Sequence, residues 1–131
     1  MASFDQPYSQ KVMEHLRHPK NMGEMKNPDG MATVGNPTCG DIMRLFLRIE
    51  KKKGQKYVKD AKFQTLGCGA AIATSSMVTT MIKGKSLKEA EKITQKTLDD
   101  ALGGLPSSKT HCALLAADAL KKAILDSLKK D

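Results

Sequence analysis

The hydrophobic pattern of this chain changes period once, and that change dictates a mixed architecture. From Asp41 to Glu50 apolar and polar residues alternate, with Met43, Leu45, Leu47 and Ile49 on one face and Arg44 and Arg48 on the other. Lys51–Gln55, which contains Gly54, reads as a hairpin connection. Tyr57–Leu66 is then the second strand, less regular, with Tyr57, Ala61 and Phe63 facing the same way. After Gly69 the spacing becomes helical. Ala70, Ala73, Met77 and Met81 fall at i, i+3, i+7 and i+11, and Gly84 supplies the stop.

The flanking segments extend this plan. Tyr8, Val12 and Leu16 predict a short first helix that stops at His18, because the residue before Pro19 is pushed out of the helical region. Pro19 to Thr38 is a loop rich in Pro, Gly and Asn, with one short strand over Met31–Gly35. Ser86-Leu87-Lys88-Glu89 is a capping-box pattern opening another helix, and Thr97–Leu102 is one more, closed by Gly103-Gly104. Cys112, Leu115, Ala116, Ala119, Ala123, Ile124 and Leu128 form a continuous apolar stripe on a last helix. The fold class is α+β: a small three-stranded antiparallel sheet with about five helices packed on it. At 131 residues the whole chain, 1–131, reads as a single domain.

Composition removes several function classes. Hydrophobic residues are 40% and charged residues 27%, so the chain is neither disordered nor fibrous. Three cysteines cannot pair off into a disulfide framework, which places the chain in a reducing, cytoplasmic setting. The longest uncharged stretch, Phe63 to Ile82, carries too many Thr and Ser to span a membrane. A net charge of +8 invites a nucleic-acid reading, but the lysines are dispersed and aromatics are only 4%; an acidic protein partner explains the charge as well, and solvated lysine faces explain much of it.

The cysteines sit where elements meet. Cys39 lies in Asn36-Pro37-Thr38-Cys39-Gly40-Asp41, a turn leading into a strand; Cys68 lies in Gly67-Cys68-Gly69, between strand and helix; Cys112 follows His111 where the last helix starts. A helix N-terminus stabilises a thiolate, and glycines beside Cys39 and Cys68 leave room for a bulky group. In an antiparallel hairpin the start of one strand adjoins the end of the next, so Cys39 and Cys68 meet at one edge of the sheet. If the last helix docks its N-terminus there, the ligand set is Cys39, Asp41, Cys68, His111 and Cys112. Taken singly, each cysteine reads as a small buried hydrophobe and Asp41 as a turn residue. His15 and His18, without such company, read as surface residues at a helix end.

Thiolates with nitrogen or oxygen suit tetrahedral zinc and an iron–sulfur cluster equally. A 2Fe–2S cluster takes four thiolates and this chain has three, so His111, Asp41 or a second molecule must complete the set. A carboxylate is a harder, poorer ligand than a thiolate, and a cluster held that way is held loosely. Loose retention suits a protein that gives clusters away.

These residues resemble the iron–sulfur cluster assembly scaffold family, in the stand-alone IscU form that also occurs as the first domain of NifU. The matching pieces are Tyr8-Ser9-Gln10-Lys11-Val12, His18-Pro19-Lys20-Asn21, Gly35 to Asp41, Ala61 to Ala73, Lys83 to Ala90, and Lys109-Thr110-His111-Cys112. They occur in the family's order from about Tyr8 to Leu128, and Cys-Gly-Asp, Gly-Cys-Gly and Lys-x-His-Cys together are highly specific. The resemblance implies a scaffold and not an enzyme. Such proteins receive persulfide sulfur from a PLP-dependent cysteine desulfurase, combine it with ferrous iron into 2Fe–2S, and pass the cluster to acceptor apoproteins. It further implies Cys39, Cys68 and Cys112 as cluster ligands, Asp41 or His111 completing the set, Cys112 as first persulfide acceptor, and Lys109 beside the site. Zinc would occupy the same pocket in a zinc-binding structural or sulfur-acceptor module, the alternative reading. Three thiols per chain leave ligands to be borrowed, so a homodimer sharing one cluster is a further expectation. Bacterial members carry Leu-Pro-Pro-Val-Lys before His-Cys, the segment read by an Hsp70-type chaperone. Here Leu105-Pro106-Ser107-Ser108-Lys109 departs from it, which argues against chaperone-assisted release.

Overall fold

The computed structural model describes residues 9–36, 40–67, 69–105 and 110–129. In chain order the elements are α1 (Gln10–Arg17), β1 (Gly30–Asn36), β2 (Asp41–Lys52), β3 (Gln55–Leu66), α2 (Gly69–Ile82), α3 (Leu87–Glu91), α4 (Gln95–Ala101) and α5 (Thr110–Lys129). The strands form one antiparallel sheet in the order β1-β2-β3. This is the α+β plan expected from the change of period.

Local chemistry accounts for the boundaries. Ser9 caps α1 by accepting from the Val12 N–H, and its hydroxyl donates to the Leu102 carbonyl, tying α1 to the end of α4. His18 ends α1 just before Pro19. The capping box of α3 forms as expected: Ser86 accepts from the Glu89 N–H while the Glu89 carboxylate accepts from the Ser86 N–H. Tyr8 lies outside the described residues.

The inner face of the sheet carries Val34, Met43, Leu45, Leu47, Ala61 and Phe63, all buried, and packs on α5 and α2. Gly30 lets β1 and α5 touch, because a Cβ there would stand 2.3 Å from the Ala123 carbonyl oxygen. The last helix therefore lies flat under β1 and β2. Its stripe from Cys112 to Ile124 is buried, but Leu128 is 44% exposed, since the helix runs past the sheet before the stripe ends.

Strand β3 corrects the sequence reading at one residue. Arg48 pairs with Asp60 but Ile49 pairs with Val58, so Lys59 is an extra residue and the strand bulges. The bulge flips the facing of the residues that precede it in β3. Val58 is fully buried and Tyr57, expected to point inward with Ala61 and Phe63, is only half-buried.

Helix α2 is buried nearly all round, between α1, β3 and α5. Its hydroxyls survive burial by bonding back along the helix, Thr74 to the Ala70 carbonyl and Thr79 to the Ser75 carbonyl. His15 belongs to this interface rather than to the surface: it is half-buried, with Nδ1 2.6 Å from Ser76 Oγ. His18 is exposed. No described helix is long and apolar enough to cross a membrane.

Candidate metal centre

Two elements deliver three donors to one point. Asp41 is the first residue of β2, paired with Asn36 of β1, and its carboxylate turns inward at the end of the sheet. His111 and Cys112 occupy the first turn of α5. The three donor atoms lie within 4.8 Å of one another. Asp41 Oδ2 is 3.3 Å from His111 Nε2, Cys112 Sγ is 3.4 Å from the same nitrogen, and the Cys112 thiol donates to Oδ2 across 3.6 Å.

These separations have a chemical meaning. Bonds of about 2.0–2.3 Å at tetrahedral angles hold neighbouring ligands roughly 3.3–3.8 Å apart. The oxygen, nitrogen and sulfur are thus spaced as three corners of one tetrahedral metal.

Burial makes the site selective about what reaches it. Asp41 is 4% exposed and Cys112 1% exposed, while His111 keeps one edge toward solvent. Cys112 packs on Ala70 and Ala71 at the start of α2, with Leu105 against the same cluster. Small alanines are what allow α5 to bring its first turn this close to α2. On the far side Gly67 lies against Asp41, where a Cβ would stand 2.5 Å from Oδ1. The room that glycine provides is taken by the Asp41 carboxylate, a role that spacing alone does not reveal.

Of the residues expected at the site, Asp41, His111 and Cys112 are brought together; Cys39, Cys68 and Lys109 lie outside the described residues. Outside the donor set, Ile42 and Leu66 face each other across β2 and β3 and are 43% and 70% exposed.

Residues 7–131 match the family described as "NifU-like N terminal domain". Over 124 residues, 95% of this chain, the sequence is 51% identical to "Iron-sulfur cluster assembly scaffold protein IscU 1" of Archaeoglobus fulgidus, 78% of whose length is covered. It is 45% identical over 122 residues to "Iron-sulfur cluster assembly scaffold protein IscU" of Escherichia coli, covering 91% of this chain and 92% of that protein. The fold resembles the crystal structure of a putative iron-sulfur cluster assembly scaffold protein for the SUF system from Fervidobacterium islandicum, with a TM-score of 0.70, 23% identity, and 89% and 96% of the two chains covered. Sequence and fold agree: the chain belongs to the NifU-like N-terminal domain family.

Proposed function

We propose that this chain is a scaffold on which iron–sulfur clusters are assembled and from which they are handed to acceptor apoproteins. The observation that carries this is the meeting of Asp41, His111 and Cys112 at tetrahedral donor spacing, in a chain about half identical to proteins named as such scaffolds. The chain acts as a carrier and not as an enzyme, and residues 1–131 serve as one scaffold domain.

The ligand set we assign is Cys39, Asp41, Cys68, His111 and Cys112, with Lys109 beside it. Support for Cys68 comes from its described neighbours, since Gly67 lies against Asp41 and Ala70 against Cys112. For Cys39 it is the sequence position, two residues before Asp41. Sulfur arrives as persulfide from a cysteine desulfurase, the terminal sulfur passing to the Cys112 thiolate while the donor cysteine leaves as thiolate. Two such sulfur atoms, two ferrous ions and two electrons from an external thiol or electron carrier give one 2Fe–2S cluster with both irons ferric. The exposed pair Ile42 and Leu66 gives a protein partner apolar surface to cover beside the site. Chemistry that depends on reduced thiols fits the cytoplasm.

Zinc is the second reading, favoured by the same donor spacing, and in that case the site is a structural or sulfur-accepting zinc module. One experiment separates them: anaerobic incubation with ferrous iron, cysteine and a desulfurase, then metal and acid-labile sulfide analysis with a visible spectrum. Iron and sulfide in equal amounts with broad charge-transfer bands support the scaffold. Retained zinc without sulfide supports the zinc module.

A further inference from the structure

We infer that the β2–β3 hairpin tip is a docking surface for an acidic segment of a partner protein. Lys51, Lys52 and Lys53 are consecutive and exposed there. Lys59 and Lys85, also exposed, carry the positive field along β3, where the Val58 N–H donates to the Lys85 carbonyl.

Two features of the tip run against folding and favour charge. The register sets Lys51 directly opposite Lys56, and like charges across a strand pair repel. The two-residue turn places Lys53 and Gly54 at φ 54° and 78°, a conformation in which Asn or Asp is much preferred at the first position. A tip selected for stability alone would read Asn-Gly between opposite charges. This one keeps lysine at both places.

The surface also has shape. Lys52, Lys53, Tyr57, Gly84, Ser86 and Glu89 line an open groove of about 370 Å³, with Tyr57 and Ser86 bridged to each other through their backbones. The Tyr57 hydroxyl donates to the Glu50 carboxylate, so the groove's one aromatic ring is held in place rather than offered for stacking. Glu50 and Glu89 would repel a polyphosphate backbone, which carries a charge at every unit. A peptide can place its carboxylates against the lysines and neutral residues elsewhere. An acidic protein segment therefore fits better than nucleic acid.

Position gives the surface its use. Strand β2 begins at Asp41 in the metal centre and ends at Lys52 at the tip, and at about 3.4 Å per residue the two lie roughly 35 Å apart. A partner anchored at the tip leaves the centre open to a second protein. This inference does not depend on what the metal centre holds.

The test is fluorescence anisotropy of the full chain with a fluorescein-labelled decaglutamate peptide, from about 50 to about 500 mM NaCl. The triple variant Lys51→Gln/Lys52→Gln/Lys53→Asn should bind at least about tenfold more weakly at the lowest salt. Lys121→Gln/Lys122→Gln/Lys129→Gln removes the same charge elsewhere and should bind like the parent. Asn suits the turn, so the tip variant should melt no lower than the parent, which excludes unfolding as the cause. Cys112→Ser should leave peptide binding unchanged, keeping the outcome separate from the fate of the cluster reading. Equal losses in both triple variants would reduce the effect to net charge and overturn the inference. Tip-dependent binding of a duplex DNA oligonucleotide more tightly than the peptide would overturn it in favour of nucleic acid.

Discussion

Asp41 is the residue on which the centre turns. Its carboxylate is buried, shared between His111 and Cys112, and given its space by the absence of a side chain at Gly67. A hard carboxylate beside a cluster is easily displaced by water or chelator. Replacing Asp41 with Ala removes the carboxylate 3.3 Å from His111 Nε2 and leaves that imidazole as the softer group to complete the set. An assembled cluster in Asp41→Ala should therefore outlast the parent's several-fold after chelator addition, followed by loss of visible absorbance; equal lifetimes would count against a labilising role. Gly67→Ala probes the same carboxylate without replacing any proposed ligand. The added methyl stands 2.5 Å from Oδ1 and 2.8 Å from Cγ, so Asp41 must swing away. Zinc affinity should fall at least about tenfold in competition with a chromophoric chelator, while urea unfolding should show a loss of no more than about 1 kcal/mol, because Gly67 is itself exposed. Asp41, His111 and Cys112 were all legible from their positions at element junctions. Gly67's part was not, because spacing says where a glycine lies but not which neighbour fills the space it leaves.

At the scale of elements, alternation in β2 was strong enough to set its start and its buried face, and Met43, Leu45 and Leu47 are buried accordingly. The strand runs on to Lys52, however, and the connection expected over Lys51–Gln55 shrinks to Lys53-Gly54, because the exposed end pairs through its backbone without an apolar face to mark it. β3 was readable as a strand but not in its facing. The bulge at Lys59 adds one residue between two stretches in register with β2, and a period-two pattern counted through it assigns Tyr57 to the wrong side. This makes a direct prediction. Val58→Ala should destabilise by roughly 1.5–3 kcal/mol, the burial energy of such a side chain, whereas Tyr57→Ala should have the smaller effect although it removes far more atoms. Paired urea denaturation curves check it, and a larger loss for Tyr57→Ala would mean the bulge is misplaced. Helix α2 shows the converse case. Its apolar residues marked a helix, but that it is enclosed on nearly every side depends on α1, β3 and α5 arriving around it.

Across the whole molecule, stability should depend on pH through the α1–α2 contact. Burial holds the His15 imidazole below its ordinary pKa of 6.5, and the charges of Lys20 and Lys11 push the same way against a smaller opposing effect of Glu14. The unfolded chain then binds a proton more readily than the native one in the interval below 6.5, so this contribution is complete above that pH and is lost as pH falls through it. Melting temperatures measured from pH 7.5 to 5 should drop less steeply in His15→Asn than in the parent; parallel slopes would remove His15 as a cause. The sequence by itself determined the α+β class, the hairpin, the order of the helices and the placing of Asp41, His111 and Cys112 at element junctions. Those follow from hydrophobic period, turn chemistry and capping, which act between residues close in the chain. What only the tertiary structure decided was contact between separate segments: α5 lying against Gly30, the carboxylate of Asp41 filling the space at Gly67, and His15 drawn onto Ser76. Periodicity and capping do not say that His15 will meet Ser76, 61 residues away. Close packing does, since each neighbour's volume fixes where the next can lie.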